Sequence, residues 1–558
     1  MNIKPLKQLF FTTAFLLLST FVLAQPATVK NVAKSVFKLT TYKLDGTIIG
    51  ESHGVFIGNG DECISNLQPL IGAARATVTD IKGNTMNVSR IIGINELYDA
   101  ARFRIEGKGT PATIANKAAN SGAQIWLVPY TAKSNVISST VKSVEKFMGD
   151  KAYYIVTITP PDESDLCPFV DAAGGVVGLM QRSTTSSDIH AADARFYASL
   201  TASGFNVNDA TMRKIGIPME LPKIKEQALL ALMMAEQSGD SIKKAASIDD
   251  FINYFPDLTD GYMAHARMMV SAHDFDKAAK DMETAIKKVS KKDEAHYGYS
   301  RIIHDKELYL SEIPYKAWSL DKALDEAVKA YSINPHPSYK EQQAKVLFSL
   351  GKFDEAYNIF YDLTSSSIRN PELFYEAARC KQMMNSPAKE TIALLDSAII
   401  NTDSLRIREA APYYLLRGQM FYETDSFRQA VFDYTRYEIL SNRNVNAEFY
   451  YMRHQAEVKG RLYKQALYDI TAAIVLNPQE PTYYAEKGSL ELKVNLPDEA
   501  IKTAELCIKR APEYASGYLI LGLAQITKGN KTEGLSNLNK AKELGDTQAQ
   551  TLIDKYSK

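Results

Sequence analysis

An excess of charge of either sign is missing from this chain of 558 residues: Lys plus Arg number 65, and so do Asp plus Glu. A net charge of zero removes the electrostatic case for a nucleic-acid partner. Tryptophan is scarce, at 2 residues. The 31 tyrosines fall mostly in the C-terminal part, where they read as helix-packing residues and not as a platform for stacked bases. Cysteine is sparse too. Cys63, Cys167, Cys380 and Cys507 show no CxxC spacing, which argues against zinc. An oxidising compartment would permit a Cys63–Cys167 disulfide. Beyond the first two dozen residues, no apolar run approaches the ~18 residues of a membrane helix. Membrane insertion of the mature chain is therefore not expected.

What is there begins with an export signal. Lys4 and Lys7 precede the apolar run Leu9–Val22, and Val22-Leu23-Ala24 offers small-residue cleavage before Gln25. Residues 1–24 are expected to be removed and the rest exported, to a periplasm foremost, with the cell surface and exterior as alternatives. No cysteine follows the cleavage site, so no lipid anchor is indicated. The length exceeds what one core supports and implies two to four domains.

The clearest pattern lies in Pro481–Glu513, PTYYAEKGSLELKVNLPDEAIKTAELCIKRAPE. It reads as two short helices joined at Asn495-Leu496, with Gly488 and Ala500 where they cross and Pro512 closing the second. Gly522 follows Gly488 by 34 residues, and Ala466 and Pro478 precede Ala500 and Pro512 by 34. This pattern resembles the tetratricopeptide repeat family. Units start near Lys225, Gly261, His296, Pro337, Pro371, Ala411, Ala447, Pro481 and Tyr514, with an insertion in the third and a stretched fifth. His454 stands where the small residue of a first helix belongs. The resemblance implies a right-handed superhelical solenoid over 225–558 whose first helices line a groove for a protein or peptide. By phase, Tyr375, Arg379, Gln382, Gln419, Tyr422, Tyr451 and Gln455 are the expected peptide-binding residues. The Lys/Asn clamp for a C-terminal carboxylate is not evident.

Residues 26–205 alternate over short runs separated by turns such as Asp45-Gly46 and Lys82-Gly83-Asn84. Two sets of about six strands, the last being Phe196–Leu200, fit a pair of antiparallel barrels. The stretches GVFIGNGDECISN, INELYDAARFRI and PFVDAAGGVVGLMQ, in that order and spacing, resemble the trypsin-like serine proteases. The resemblance puts Gln68 at the histidine of the catalytic triad, Asp99 at its aspartate and Asp165 at its serine, with Glu163 in place of the oxyanion-hole glycine. Glutamine does not titrate and cannot relay a proton. Three carboxylates, Asp162, Glu163 and Asp165, oppose a developing oxyanion.

The resulting expectation is a multidomain protein: an all-β, trypsin-like double barrel without catalytic residues, a connector over 206–224, and an all-α tetratricopeptide-type array. It would serve as an exported protein-binding scaffold with no cofactor or metal. The alternative is an active exported protease whose repeats recruit substrate, with Ser164 as nucleophile and His53 or His190 as base. A metal site of His53, Asp99 and Asp165 has no supporting ligand spacing. By position, the barrel edge that would take an extended basic peptide is Arg195–Leu200. Neither the partner's identity nor the oligomeric state follows from the sequence.

Overall fold

The computed structural model describes residues 26–131, 135–183, 187–202 and 210–557. The expected signal segment lies outside the described residues. Contacts divide the chain into two compact units, one ending at Ala295 and the other beginning at His296.

Among the described residues the first unit has twelve strands, preceded by a short helix at Ala27–Asn31. The first six are β1 (Val36–Tyr42), β2 (Ile48–Ile57), β3 (Glu62–Ser65), β4 (Arg75–Asp80), β5 (Thr85–Asn95) and β6 (Ala100–Ile105). The second six are β7 (Gln124–Leu127), β8 (Ile137–Phe147), β9 (Lys151–Thr157), β10 (Pro168–Val170), β11 (Val176–Arg182) and β12 (Ile189–Asp193). Each set closes into an antiparallel barrel, with orders β1-β2-β3-β6-β5-β4 and β10-β11-β12-β9-β8-β7. Renumbered within its own barrel, each has the same cyclic order. Closure leaves neither barrel an open edge.

Alternation builds the two cores. Phe37, Leu39, Phe56, Cys63, Val78 and Phe103 fill the first barrel. Trp126, Val141, Tyr154, Phe169 and Leu179 fill the second. Such side chains contribute roughly 1.5–3 kcal/mol each on burial. Strand β2 crosses the first core at Gly54, where a Cβ would meet the Ile64 carbonyl oxygen at 2.3 Å and the Phe37 ring at 2.5 Å. Only glycine fits there.

Two expectations are corrected. Phe196–Leu200 is not a strand: Ala194–Ser199 is helical, capped where Asp193 accepts from the Arg195 N–H at 2.9 Å. The sixth strand is β12, whose Ala191 and Ala192 are too small to show alternation. Cys63 and Cys167 are free thiols buried in different barrel cores, so the permitted disulfide is not formed.

The connector is part of the first barrel's packing. Met212, Ile215 and Ile217 join its core. Met219 bridges to Ile91, with the Ile91 N–H donating to the Pro218 carbonyl and the Glu220 N–H donating to the Ile91 carbonyl, both at 2.8 Å. Arg104 donates to Glu220 at 2.9 Å, and Arg90 to Asp250 at 3.1 Å. The helices Lys225–Glu236, Ser241–Tyr254, Thr259–Ser271 and Phe275–Lys288 complete this unit. The compact boundary falls seventy residues beyond Lys225, and the half-buried Arg90–Asp250 pair ties the Ser241–Tyr254 helix to β5.

The second unit is helical. Its pairs have first helices at Lys292–Tyr309, Pro337–Ser349, Pro371–Met383, Ala411–Glu423, Ala447–Lys459, Pro481–Lys493 and Ala515–Thr527. The turn inside a pair repeatedly carries a residue in the left-handed region: Gly351, Asn385, Asp425, Arg461, Asn495 and Gly529. Such a residue ends one helix and re-aims the chain into the next. Gly488 permits close stacking, since a Cβ there would meet Ile520 Cγ2 at 2.7 Å. His454, in the place of a small residue, is buried with Nδ1 2.9 Å from the Ala466 carbonyl.

One ion pair recurs between the two helices of a repeat, 16 residues apart. In the second unit, Arg417 donates to Asp433 at 2.8 Å and Arg453 to Asp469 at 2.6 Å. Each arginine also reaches the helix of the preceding repeat, at Asp396 (2.6 Å) and Glu438 (2.7 Å) respectively. His265 and Asp281 make the corresponding pair in the first unit, at 2.6 Å. Burial opposes the charge on Arg453, but its carboxylate partners outweigh burial and raise its pKa.

Candidate functional site: the cleft between the barrels

A cleft of about 1340 Å³ opens between the barrels, lined from β1, β2, β8 and the loop 161–167. Asp99 sits at its wall on a turn with φ 46°. Its carboxylate accepts from the Leu67 N–H at 2.9 Å, the Gln68 N–H at 2.7 Å and Asn66 Nδ2 at 3.3 Å. Asp99 therefore splints the turn that carries Gln68. The Gln68 side chain is exposed on the turn Gln68–Leu70 and is not among the groups lining the cleft.

His53 comes from β2 and does line the cleft. Its Nδ1 is 3.2 Å from the main-chain carbonyl of Asp165, and its ring lies 5.5 Å from that of Tyr130. Burial lowers its pKa, which keeps it neutral at pH 7. Ser164 is 1 % exposed, and its Oγ has no hydrogen-bond partner among the described residues. The imidazole is thus bonded past the serine, to the next residue's carbonyl. His190 lies on β12 with its ring 5.5 Å from that of Tyr153, and its Nδ1 is likewise without a hydrogen-bond partner.

The loop between Pro161 and Cys167 is held by the Leu166 N–H donating to Met180 O at 2.9 Å and the Met180 N–H donating to Cys167 O at 3.0 Å. Glu163 (φ 60°) and Leu166 (φ 64°) are both left-handed without being glycine. Strain of that kind persists only where the surroundings enforce it. Asp165 faces Arg182, with Nε 3.0 Å from Oδ1 in an ion pair that lacks hydrogen-bond alignment. Strand β11 also reaches the cleft, through Gln181 and Arg182. Arg195–Leu200, the expected peptide-pairing edge, is helical and does not line it. Among the described residues no cluster of three or more His, Cys, Asp and Glu is placed to hold a metal ion, so His53, Asp99 and Asp165 are not gathered as ligands.

Sequence reasoning missed the aromatic wall. Tyr98 and Phe147 meet edge to face at 4.4 Å, and Tyr153 lies 6.2 Å from Phe147. All three line the cleft. They come from β9, the end of β8 and the turn before β6, so nothing local in the sequence joins them.

The seven expected groove residues all lie on first helices and are half-buried. Tyr375 meets Tyr413 at 4.9 Å, and Tyr451 meets Tyr483 at 5.1 Å. Arg379 lies 4.4 Å over the Phe348 ring and pairs with Glu376 at 3.1 Å. Gln382, Gln419, Tyr422 and Gln455 occupy the same helix face by phase.

No family model matches the chain. Over 94 residues it is 31% identical to the TPR repeat-containing thioredoxin TDX of Arabidopsis thaliana, covering 17% of this chain and 25% of that one. Over 111 residues it is 29% identical to the small glutamine-rich tetratricopeptide repeat-containing protein 2 of Saccharomyces cerevisiae, covering 20% and 32%. The chain thus spans a quarter to a third of the length of these curated relatives. Among solved structures, it is similar to the active form of the Rv3671c protease of M. tuberculosis, at 16% identity and TM-score 0.28, over 36% of this chain and 89% of that one. It is also similar to YrrB, a TPR protein with an unusual peptide-binding site, at 20% identity and TM-score 0.31, over 35% and 97%. The chain is similar in sequence to tetratricopeptide proteins, and its paired barrels share one closed strand order.

Proposed function

We propose that this protein is an exported scaffold: a protease-like double barrel that no longer cuts, joined to a repeat array that binds proteins or peptides. The carrying observation is the fate of the triad positions. Asp99 holds main-chain N–H groups with its carboxylate, Gln68 is exposed, and Ser164, buried at the cleft, has no base bonded to it. A serine without a base is a weak nucleophile. The first-helix face of the array offers Tyr, Gln and Arg side chains, which suit a peptide's backbone and apolar side chains together. The export signal supports placement outside the cytoplasm, in a periplasm foremost.

The test is cross-linking of the full-length protein in an envelope extract, beside Tyr451→Ala/Gln455→Ala. A discrete set of partners lost in the groove variant is expected. A set captured equally by both proteins would refute binding through this face.

A further inference from the structure

The second helices of the array differ from one another on their outer face. Each has a buried residue in the place of Ala500: Thr391 in Ala388–Ile400, Ala430 in Phe427–Leu440 and Ala466 in Tyr463–Leu476. Two and nine residues beyond it stand Ala393 and Ile400, Phe432 and Ile439, and Tyr468 and Val475, all exposed. A spacing of seven is two helical turns, so each pair shares one face of its helix. In the unit's other four second helices the same places hold Asp325 and Ser332, Asn358 and Ser365, Lys502 and Lys509, and Ser536 and Glu543. The change from polar to apolar is confined to three consecutive repeats.

These three helices lie side by side. Arg417 joins Asp396 to Asp433, and Arg453 joins Glu438 to Asp469. Two apolar rows therefore run across them, with Leu476 extending the row of Ile400, Ile439 and Val475. Ile400 is 81 % exposed, Val475 73 % and Tyr468 72 %. With Phe432, Ile439 and Leu476 they present roughly 700–800 Å² to water, close to the ~800 Å² that each partner gives to a standard interface. Contiguous apolar surface on that scale marks an interaction site.

The composition fits a second copy. Phe, Tyr and Arg are enriched at the centres of interfaces, and Lys, Glu and Asp are depleted there. Between the two rows the exposed charges are Arg436, which lies 5.9 Å from its own Phe432 ring, and the half-exposed Asp396. One cation and one carboxylate leave the face without net charge, so two such faces meet without like-charge repulsion. A neutral, apolar face can match itself, as a two-fold contact between identical chains requires.

We propose that the outer face of these three second helices joins two copies of the chain in a two-fold dimer. The contact is separate from the first-helix face proposed for peptides, and it does not depend on whether the barrels cut. Asn358 and Ser365 bound it on one side, and Lys502 and Lys509 on the other.

The experiment is sedimentation velocity of the full-length exported protein over a range of concentrations. A species of twice the chain mass is expected, and it should persist in molar salt because the contact is apolar. Phe432→Asp/Tyr468→Asp changes two exposed positions, so the helical circular dichroism should be kept. Its dimer should dissociate at a concentration about a hundredfold higher. Phe432→Leu/Tyr468→Phe should associate like the wild type, and so should Lys502→Ser/Lys509→Ser in the next repeat. A monomer at every concentration would overturn the proposal. So would a dimer that the aspartate variant leaves unchanged, since the contact would then lie elsewhere, or one that salt disperses. A mass that climbs steadily past two copies would overturn the two-fold pairing.

Discussion

The barrel cleft and the repeat array differ in how their charged groups are paired. In the array the largely buried arginines are each shared by two carboxylates, although Glu457 and Glu491 each keep one carboxylate oxygen without a hydrogen-bond partner. Arg453 is 5 % exposed and serves Asp469 and Glu438, and Arg417 serves Asp433 and Asp396. These pairs join consecutive helices and repeat with the fold. In the cleft, Ser164 is left unpaired, two loop residues are held in left-handed conformations, and carboxylates outnumber cations. Polar groups that face their own chain complete a structure.

If that contrast holds, breaking an arginine clamp should cost more than any change in the cleft. Arg453→Met leaves Asp469 and Glu438 without their cation. We expect a loss of about 3–5 kcal/mol, read by denaturant unfolding followed by circular dichroism at 222 nm, because removing one partner strands the other charges. A loss below that of ordinary surface changes would show that the clamps are ornamental.

The next effect belongs to the connector. Asp250 accepts from Arg90 at 3.1 Å and from the Leu221 N–H at 3.3 Å. Asp250→Ala should destabilise the first unit by about 1–3 kcal/mol and speed hydrogen exchange in the Lys225–Glu236 and Ser241–Tyr254 helices. A fragment starting at residue 225 should show the same fraying, because Leu221 and the barrel strands that anchor these helices are absent from it.

A smaller effect sits beside Arg453. Glu457 is buried, one carboxylate oxygen has no hydrogen-bond partner, and its pKa is pushed up to about 8, first by burial and then by Asp469. A carboxyl group with a raised folded pKa holds its proton where the unfolded chain has lost it. Its contribution is complete below the unfolded value and is lost as pH climbs to about 8. Glu457→Gln should therefore raise the melting temperature at pH 9, by the equivalent of about 1–3 kcal/mol, and change little at pH 4. Equal effects at both values would mean that Glu457 is not protonated in the fold.

The two regions also differed in how far the sequence disclosed them. Repeat boundaries were legible because every marker is local: Pro481, Gly488, Asn495 and Pro512 fall within one helix pair, and the structure puts the expected turn at Asn495 in the left-handed region. The 16-residue spacing from Arg453 to Asp469 was visible in the letters, but its meaning depends on two helices facing each other. The barrels were legible as alternating runs, save at Ile189–Asp193, where small residues blur the period. There Asp193 turned an expected strand into a capped helix. The cleft was read only along the motif stretches, which reached Asp99, Ser164 and Asp165. Phe147, Tyr153 and Arg182 escaped because closure of two barrels, not proximity in sequence, brings them to one wall.

The most direct test of the central claim is labelling of the full-length protein with a fluorophosphonate probe, alongside turnover of casein. The account predicts no labelling and no turnover, because the hydroxyl of Ser164 is buried and no base is bonded to it. Labelling of the wild-type chain that disappears in Ser164→Ala would contradict the account and establish a working nucleophile in the cleft.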